Sequence, residues 1–247
     1  MTYGAHHVLE GIDLAIDEGQ IVGYIGPNGA GKSTTVRIML GLQEGYGGEV
    51  LLFGQDIRRA SIDYKKRIGY VPETAELYDT LTAREYLLFT GRCYGMETER
   101  VEQKIELLLG LWGLSAAADA RISSYSKGMR QKVLITSSLL HNPDLIFFDE
   151  PLSGLDANSV LVFKEIMARL AQGGKTIFYS SHIMDVVEKI SDRIILLDDG
   201  KVAADGSFAE LQAQNTEGSL EKIFNQLTGF NQHEKIADDF VTIIEGG

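Results

Sequence analysis

Between positions 8 and 54, apolar and polar residues alternate in short runs bounded by glycine. VLEGIDLAI (8–16), QIVGYIG (20–26) and GEVLLFG (48–54) each predict a short strand. After Gly26 a glycine-rich loop leads into TTVRIMLGL (34–42), whose spacing predicts a helix. From about residue 82 to 141 the helical period dominates. Val101, Ile105, Leu108, Leu109 and Trp112 fall on one stripe, the pattern of a helix face packed on a core. DLIFFDEP (144–151) is a continuous apolar run ending in acids, and KTIFYSSH (175–182) is a second run ending in a histidine. Such runs predict strands of a parallel sheet buried on both faces, and so an α/β chain. RIILLDDGKVAADG (193–206) predicts a hairpin turning at Asp199-Gly200. The acidic, weakly patterned residues from Phe230 fit either a small appended helix or a mobile end.

The chain has 247 residues, 44% apolar and 23% charged, enough for one domain or a core domain with a smaller lobe. Its 35 acids outnumber 23 bases, for a formal net charge of −12. That surface repels nucleic acid and anionic lipid, so direct binding to either is disfavoured. No apolar run reaches the roughly 18 residues of a spanning helix, and residues 1–30 lack the pattern of a signal peptide. The reading is a cytosolic chain, without direct lipid insertion, whose link to a membrane runs through a protein partner. The lone cysteine, Cys93, excludes an internal disulfide and fits a reducing compartment; a small buried hydrophobe is expected there.

The chemistry centres on GPNGAGKST (26–34), in which Gly26, Gly31, Lys32 and Ser33 satisfy G-x-x-x-x-G-K-[ST] between a strand and a helix. The backbone of Gly26, Pro27, Asn28, Gly29, Ala30 and Gly31 can wrap a phosphate, and the helix beginning near Thr34 adds positive potential. Lys32 reaches the β- and γ-phosphates, and the Ser33 hydroxyl takes Mg²⁺. Asp149 and Glu150 close a strand at the carboxyl edge of the sheet, where ligand crevices open. Asp149 suits the metal shell, and Glu150 suits a base for water attacking the γ-phosphate. His182 ends the neighbouring run at the same edge, a position for a γ-phosphate contact. Ser126 reads as an N-cap before a helix whose free N–H groups face outward.

GPNGAGKST, YSKGM (125–129), LIFFDEP, SGLD (153–156) and the histidine of SSHIM (180–184) stand together in a familiar order. In that order and approximate spacing the chain resembles the ATP-binding cassette (ABC) ATPases over about residues 2–229. The resemblance implies a P-loop NTPase core with a mainly parallel sheet, an antiparallel β subdomain and a helical signature subdomain at about 78–141. Residues 230–247 are left as a C-terminal tail. ATP and Mg²⁺ are the implied cofactors. By the same resemblance, Ser126, Lys127, Gly128 and Met129 contact ATP held by a second cassette, two cassettes packing head to tail. Asp156 falls in the loop that links the two sites, Tyr3 stacks on adenine, and Glu73 stands on the metal side. The implied activity is ATP hydrolysis coupled to transport at the cytoplasmic face of a membrane, with separate membrane-spanning subunits. YVPE (70–73) and YSKGM resemble cassettes of bacterial exporters. The loop from Glu73 to Thr82, with Tyr78 and Leu81, is where such a partner is sensed.

Three departures from the family stand out. Lys127 and Met129 replace the glycine and glutamine of the commonest signature, Glu73 replaces a glutamine, and the short opening strand is missing. Two other classes are weighed. A soluble ABC ATPase acting on DNA or ribosomes would carry long coiled-coil arms or two cassettes, and neither is present in the sequence. A regulatory module without turnover would lack the acid that stands at Glu150.

Overall fold

The computed structural model describes residues 1–3, 6–74, 76–215, 218–229 and 233–245. Two short strands, β1 (Thr2–Tyr3) and β2 (His6–His7), pair antiparallel at the start. β3 (Ile21–Ile25) then enters the central sheet, and a second small antiparallel pair follows, β4 (Leu51–Leu52) with β5 (Gln55–Asp56). The remaining strands are β6 (Ile68–Val71), β7 (Leu145–Asp149), β8 (Thr176–Ser180), β9 (Arg193–Asp198) and β10 (Lys201–Gly206). The six-stranded sheet runs β10-β9-β3-β8-β7-β6. Every neighbouring pair is parallel except β9 and β10. Their hairpin turns at Asp199 and Gly200, both with positive φ, as a two-residue turn of this twist requires.

Period-2 geometry divides the apolar runs between two cores. Ile146, Phe148, Ile177, Tyr179, Ile194 and Leu196 pack into one cluster. Val22, Tyr24, Phe147, Phe178, Ile195 and Leu197 pack into the other. A strand buried on both faces needs no polar side, so its sequence reads as continuous apolar residues. Helix α1 (Lys32–Met39) contributes Val36 and Ile38 to the second cluster.

The helical lobe comprises α2 (Ala83–Cys93), α3 (Thr98–Leu111) and α4 (Lys127–Leu139). α2 starts in a capping box: Thr82 Oγ1 accepts from Glu85 N–H at 3.1 Å, and Glu85 Oε2 accepts from Thr82 N–H at 2.9 Å. Val101, Ile105 and Leu109 of α3 are buried, with Leu108 and Trp112 packed beside them, so the stripe is core as expected. Beyond β7, α5 (Ala157–Gln172) sets Phe163 edge-on against Phe148 with centroids 5.0 Å apart. Truncating that buried ring to alanine removes about 3–5 kcal/mol of stability. The chain closes with α6 (Met184–Ile190), α7 (Phe208–Gln214), α8 (Leu220–Thr228) and α9 (His233–Glu245). The tail therefore contains a helix, which leaves Phe240, Val241, Ile243 and Ile244 exposed.

Four expectations change. Residues 8–16 form no strand, although Ile12, Leu14 and Ile16 alternate inward against the second core. Their alternation records burial without a ladder; the Ala15 carbonyl accepts from the Arg193 guanidinium instead. The strand expected over 48–54 shrinks to Leu51–Leu52. Cys93 is exposed rather than buried. α2 buries Ala83, Leu87 and Gly91, four residues apart, and Cys93 falls on another face of that helix. An opening strand is present after all, as the two residues of β1.

Candidate active site

The cleft lies at the carboxyl ends of β3, β6, β7 and β8. Residues 26–31 leave β3 and turn directly into α1. Gly31 precedes that helix with φ 103°, a conformation that favours glycine, and no side chain caps α1. The first N–H groups of a helix lack intrahelical partners, so this end presents donors and positive potential to the cleft. The loop is wedged from below. A Cβ at Gly26 would meet the Leu197 carbonyl oxygen, and one at Gly31 would meet Leu9 and the Val8 carbonyl. Gly200 N–H also donates to Ala30 O at 3.2 Å.

Lys32 bends back over its own loop. Its Nζ donates to Gly26 O at 2.6 Å and to Pro27 O at 3.1 Å. Burial lowers the Lys32 pKa, and the carboxylates of Asp149, Glu150 and Glu73 oppose that shift. The ammonium thus stands among acids and carbonyl oxygens, held where a phosphate would find it.

Asp149 is the last residue of β7 and pairs in register with Ser180 of β8. It is buried, and the Ser180 hydroxyl donates to its Oδ1. Glu150 follows with φ 47°, a left-handed conformation uncommon outside glycine. Its N–H donates to Ser180 O at 3.1 Å, and its carbonyl accepts from Ser153 N–H at 3.2 Å. The side-chain Oε2 accepts from Ser181 Oγ at 3.4 Å, while the buried Oε1 has no hydrogen-bond partner. His182 Nε2 lies 3.6 Å from that orphaned oxygen. Burial raises the Glu150 pKa and the Asp149 charge adds to the rise; His182 and Ser181 work against it.

Asn28, Gly29, Gly31, Lys32, Ser33, Thr34, Glu73, Asp149, Glu150 and His182 together line a cleft of about 350 Å³. Val8 completes the wall, a residue the sequence patterns did not single out. Ser180 and Ser181 were also missed. Their signal was the pair of hydroxyls in YSSH, which only the β7–β8 register turns toward the two acids. A hollow of about 410 Å³ lies at the other end of the parallel strands, beside Asp192, Asp205 and Glu210. Its acids would repel a polyphosphate.

Ser126, Lys127, Gly128, Met129 and Asp156 do not line the 350 Å³ cleft. Ser126 caps α4, its Oγ accepting from Met129 N–H at 3.3 Å. Asp156 caps α5, accepting from Ser159 N–H at 2.9 Å and from the Ser159 hydroxyl at 2.6 Å. Those hydrogen bonds, with the Lys132 ammonium nearby, pull the Asp156 pKa down to about 2. The helix-cap role of Asp156 is therefore present in the isolated chain. Tyr3 lies on β1, and its side chain falls outside the described residues.

The donors suit their expected ligands. An uncapped helix end with a glycine-lined loop and an ammonium suits phosphate. A hydroxyl and carboxylates, all oxygen donors, suit a hard divalent cation.

Comparison with known proteins agrees with this geometry. The family profile described as ABC transporter matches residues 9–153. The ABC transporter ATP-binding protein NatA of Bacillus subtilis is 39% identical over 86% of this chain and 87% of its own. The Nod factor export ATP-binding protein I of Cupriavidus metallidurans is 34% identical over 85% of this chain and 69% of its own. Among solved structures, a dimeric ATP-binding cassette in a post-hydrolysis state with ADP and Pi superposes with TM-score 0.76 and 27% identity. That match covers 84% of this chain and 94% of the other. A profile spanning more than half the chain, and relatives aligned over most of it, place the protein in the ABC transporter family as one of its ATP-binding, ATP-hydrolysing subunits.

Proposed function

We propose that the chain binds Mg·ATP in the cleft, dimerises head to tail with a second cassette, and drives separate membrane-spanning subunits, in the direction of export. The observation that carries this reading is the convergence of Lys32, Ser33, Glu73, Asp149, Glu150 and His182 around an uncapped helix. Residues 1–229 form the ATPase domain in this reading, with a helical subdomain at about 78–141 and a tail over 230–247.

ATP supplies the γ-phosphoryl group, and Mg²⁺, when bound, would neutralise the charge that develops on the phosphate oxygens. The loop of residues 26–34 wraps and orients the phosphates, its free backbone N–H groups donating to them, with Lys32 exchanging loop carbonyls for phosphate oxygens. Ser33, Asp149 and Glu73 would hold the metal. Among the described residues no three His, Cys, Asp or Glu side chains form a cage. Mg²⁺ in nucleotide sites needs none, since it uses one or two carboxylates, phosphates and water. Glu150 Oε1 accepts the proton of the attacking water, and His182 orients that water or the γ-phosphate. Ser126, Lys127, Gly128 and Met129 meet the nucleotide of the second subunit through the N-terminus of α4. Asp156 lies in the connecting loop, and Tyr3 is the adenine contact.

The membrane link runs through protein. No helix of the described residues is long and apolar enough to cross a membrane. Tyr78 is 58% exposed beside Phe89 at 48%, their rings edge-on at 5.8 Å, while Leu81 is half-buried. This aromatic patch, whose Tyr78 follows Glu73 by five residues in the chain, suits an apolar docking surface. It sets the protein at the cytoplasmic face through its partners. Export is supported by the likeness to the Nod factor export ATP-binding protein and by YVPE and YSKGM.

Co-purification from native membranes, with identification of the bound spanning protein, tests the reading together with ATP-dependent dimerisation. Recovery of ribosomal or DNA-bound proteins in place of a membrane subunit would overturn it.

A further inference from the structure

Lys127 is the first residue of α4, yet its side chain turns back onto its own chain. Its Nζ donates to Ser153 Oγ at 2.7 Å. The stem lies against Gly154, where an added Cβ would stand 2.7 Å from Lys127 Cγ and where φ is +81°. One residue on, a Cβ at Gly128 would stand 2.6 Å from Gly154 O. Further along α4, buried Gln131 donates through Nε2 to Pro151 O at 2.9 Å, and Lys132 Nζ lies 3.5 Å from Asp156 Oδ2. The first turns of α4 are thus fastened to residues 151–156 at several points.

That loop begins at Glu150. Ser153 receives the Lys127 ammonium on its hydroxyl and donates its own N–H to Glu150 O at 3.2 Å. Two hydrogen bonds therefore separate the lysine cation from the backbone of the base. Glu150 sits at φ 47°. Such a conformation persists only where the surrounding contacts hold it. A charge-assisted bond is stronger than a neutral one, so Lys127 holds Ser153 more firmly than an uncharged side chain would.

We propose that Lys127 is a positioning residue: it ties the stretch Ser126–Met129 to Ser153, and through Ser153 it holds the backbone from which Glu150 presents its carboxylate. The inference deepens the proposed function and rests on it, because Ser126–Met129 is there assigned to the nucleotide of the second subunit. With three donors, the ammonium can keep Ser153 and still offer an N–H to a phosphate arriving at this stretch. Occupancy of one site is then felt by the base of the other.

The test is a double-mutant cycle in the full chain with Lys127→Met, which keeps the apolar stem against Gly154, and Ser153→Ala. Steady-state ATP hydrolysis gives kcat and KM separately. Each single variant is expected to lose about three- to tenfold in kcat; Ser153→Ala keeps KM for ATP within about twofold, while Lys127→Met also raises it by losing its contact to the second subunit's nucleotide. The double variant should be no slower than the worse single, because both remove one contact. Lys127→Arg, which restores a donor, should recover most of kcat. Additive losses overturn the latch, and so does a Lys127→Met variant altered only in KM beside a silent Ser153→Ala. Failure of the two-subunit reading shows separately, as a specific activity in the parent that does not depend on protein concentration.

Discussion

His182 Nε2 faces Glu150 Oε1 across 3.6 Å, and no hydrogen bond joins them. The histidine is half exposed and the carboxylate oxygen is buried, so the pair forms a gap with a polar atom on each wall. Removing the histidine takes away an influence that lowers the Glu150 pKa. His182→Ala should therefore move the acid limb of the kcat profile to higher pH. It should also slow turnover by about tenfold or more while leaving ATP affinity nearly intact. An acid limb that stays in place would separate the two residues functionally.

Glu150→Gln should bind nucleotide as the parent does and lose about 10² to 10⁴ in hydrolysis. ATP-dependent dimers should persist in this variant and be transient in the parent. A second effect follows from burial. The folded pKa of Glu150 lies above 4.5, so its ionised form costs stability at neutral pH, and that cost disappears as pH falls below the unfolded value. Glu150→Gln should raise the nucleotide-free melting temperature at neutral pH by about 2–4 °C, for each kcal/mol of relief. At pH 4 the gain should be gone. Thermal scans at the two pH values check both signs.

Lys32→Ala removes the ammonium that now bonds Gly26 O and Pro27 O. Tight Mg·ATP binding should be abolished, as measured by direct titration. Unchanged affinity would mean that the loop backbone alone holds the phosphates.

Glu73 is exposed on the segment after β6 and reaches the cleft wall. Glu73→Ala should raise the Mg²⁺ needed for half-maximal ATPase and weaken stimulation by the membrane partner. Glu73→Gln should be much milder, because an amide oxygen still serves a hard cation. If Glu73→Ala changes neither quantity, the residue does not couple metal to partner.

The phosphate loop was legible in the sequence because its chemistry is local: glycines, lysine and serine at fixed spacing in one turn. β7 and β8 were legible because burial on both faces leaves no polar position to obscure them. Residues 8–16 misled because inward alternation looks the same with or without a paired strand beside it. The Ser180 hydroxyl on Asp149 and the Lys127 ammonium on Ser153 were not legible. One depends on the register between strands, and the other on how a helix packs against a distant loop. Cys93 was misplaced because the buried face of α2 follows from which neighbours it meets, not from the hydrophobicity of cysteine.

The wedge beneath the phosphate loop has a kinetic consequence. Leu197, Leu9 and the Val8 carbonyl crowd Gly26 and Gly31, and the Ala30 carbonyl is held by Gly200 N–H. A cradle braced in this way loses little further freedom when it takes up an anion, so recognition of the phosphates resembles docking onto a preformed surface. The moving parts of the cycle must then lie elsewhere. Among the described residues no hydrogen bond ties the segment at Glu73 to the phosphate loop, so under the proposed function the movement falls to that segment and the helices that follow it.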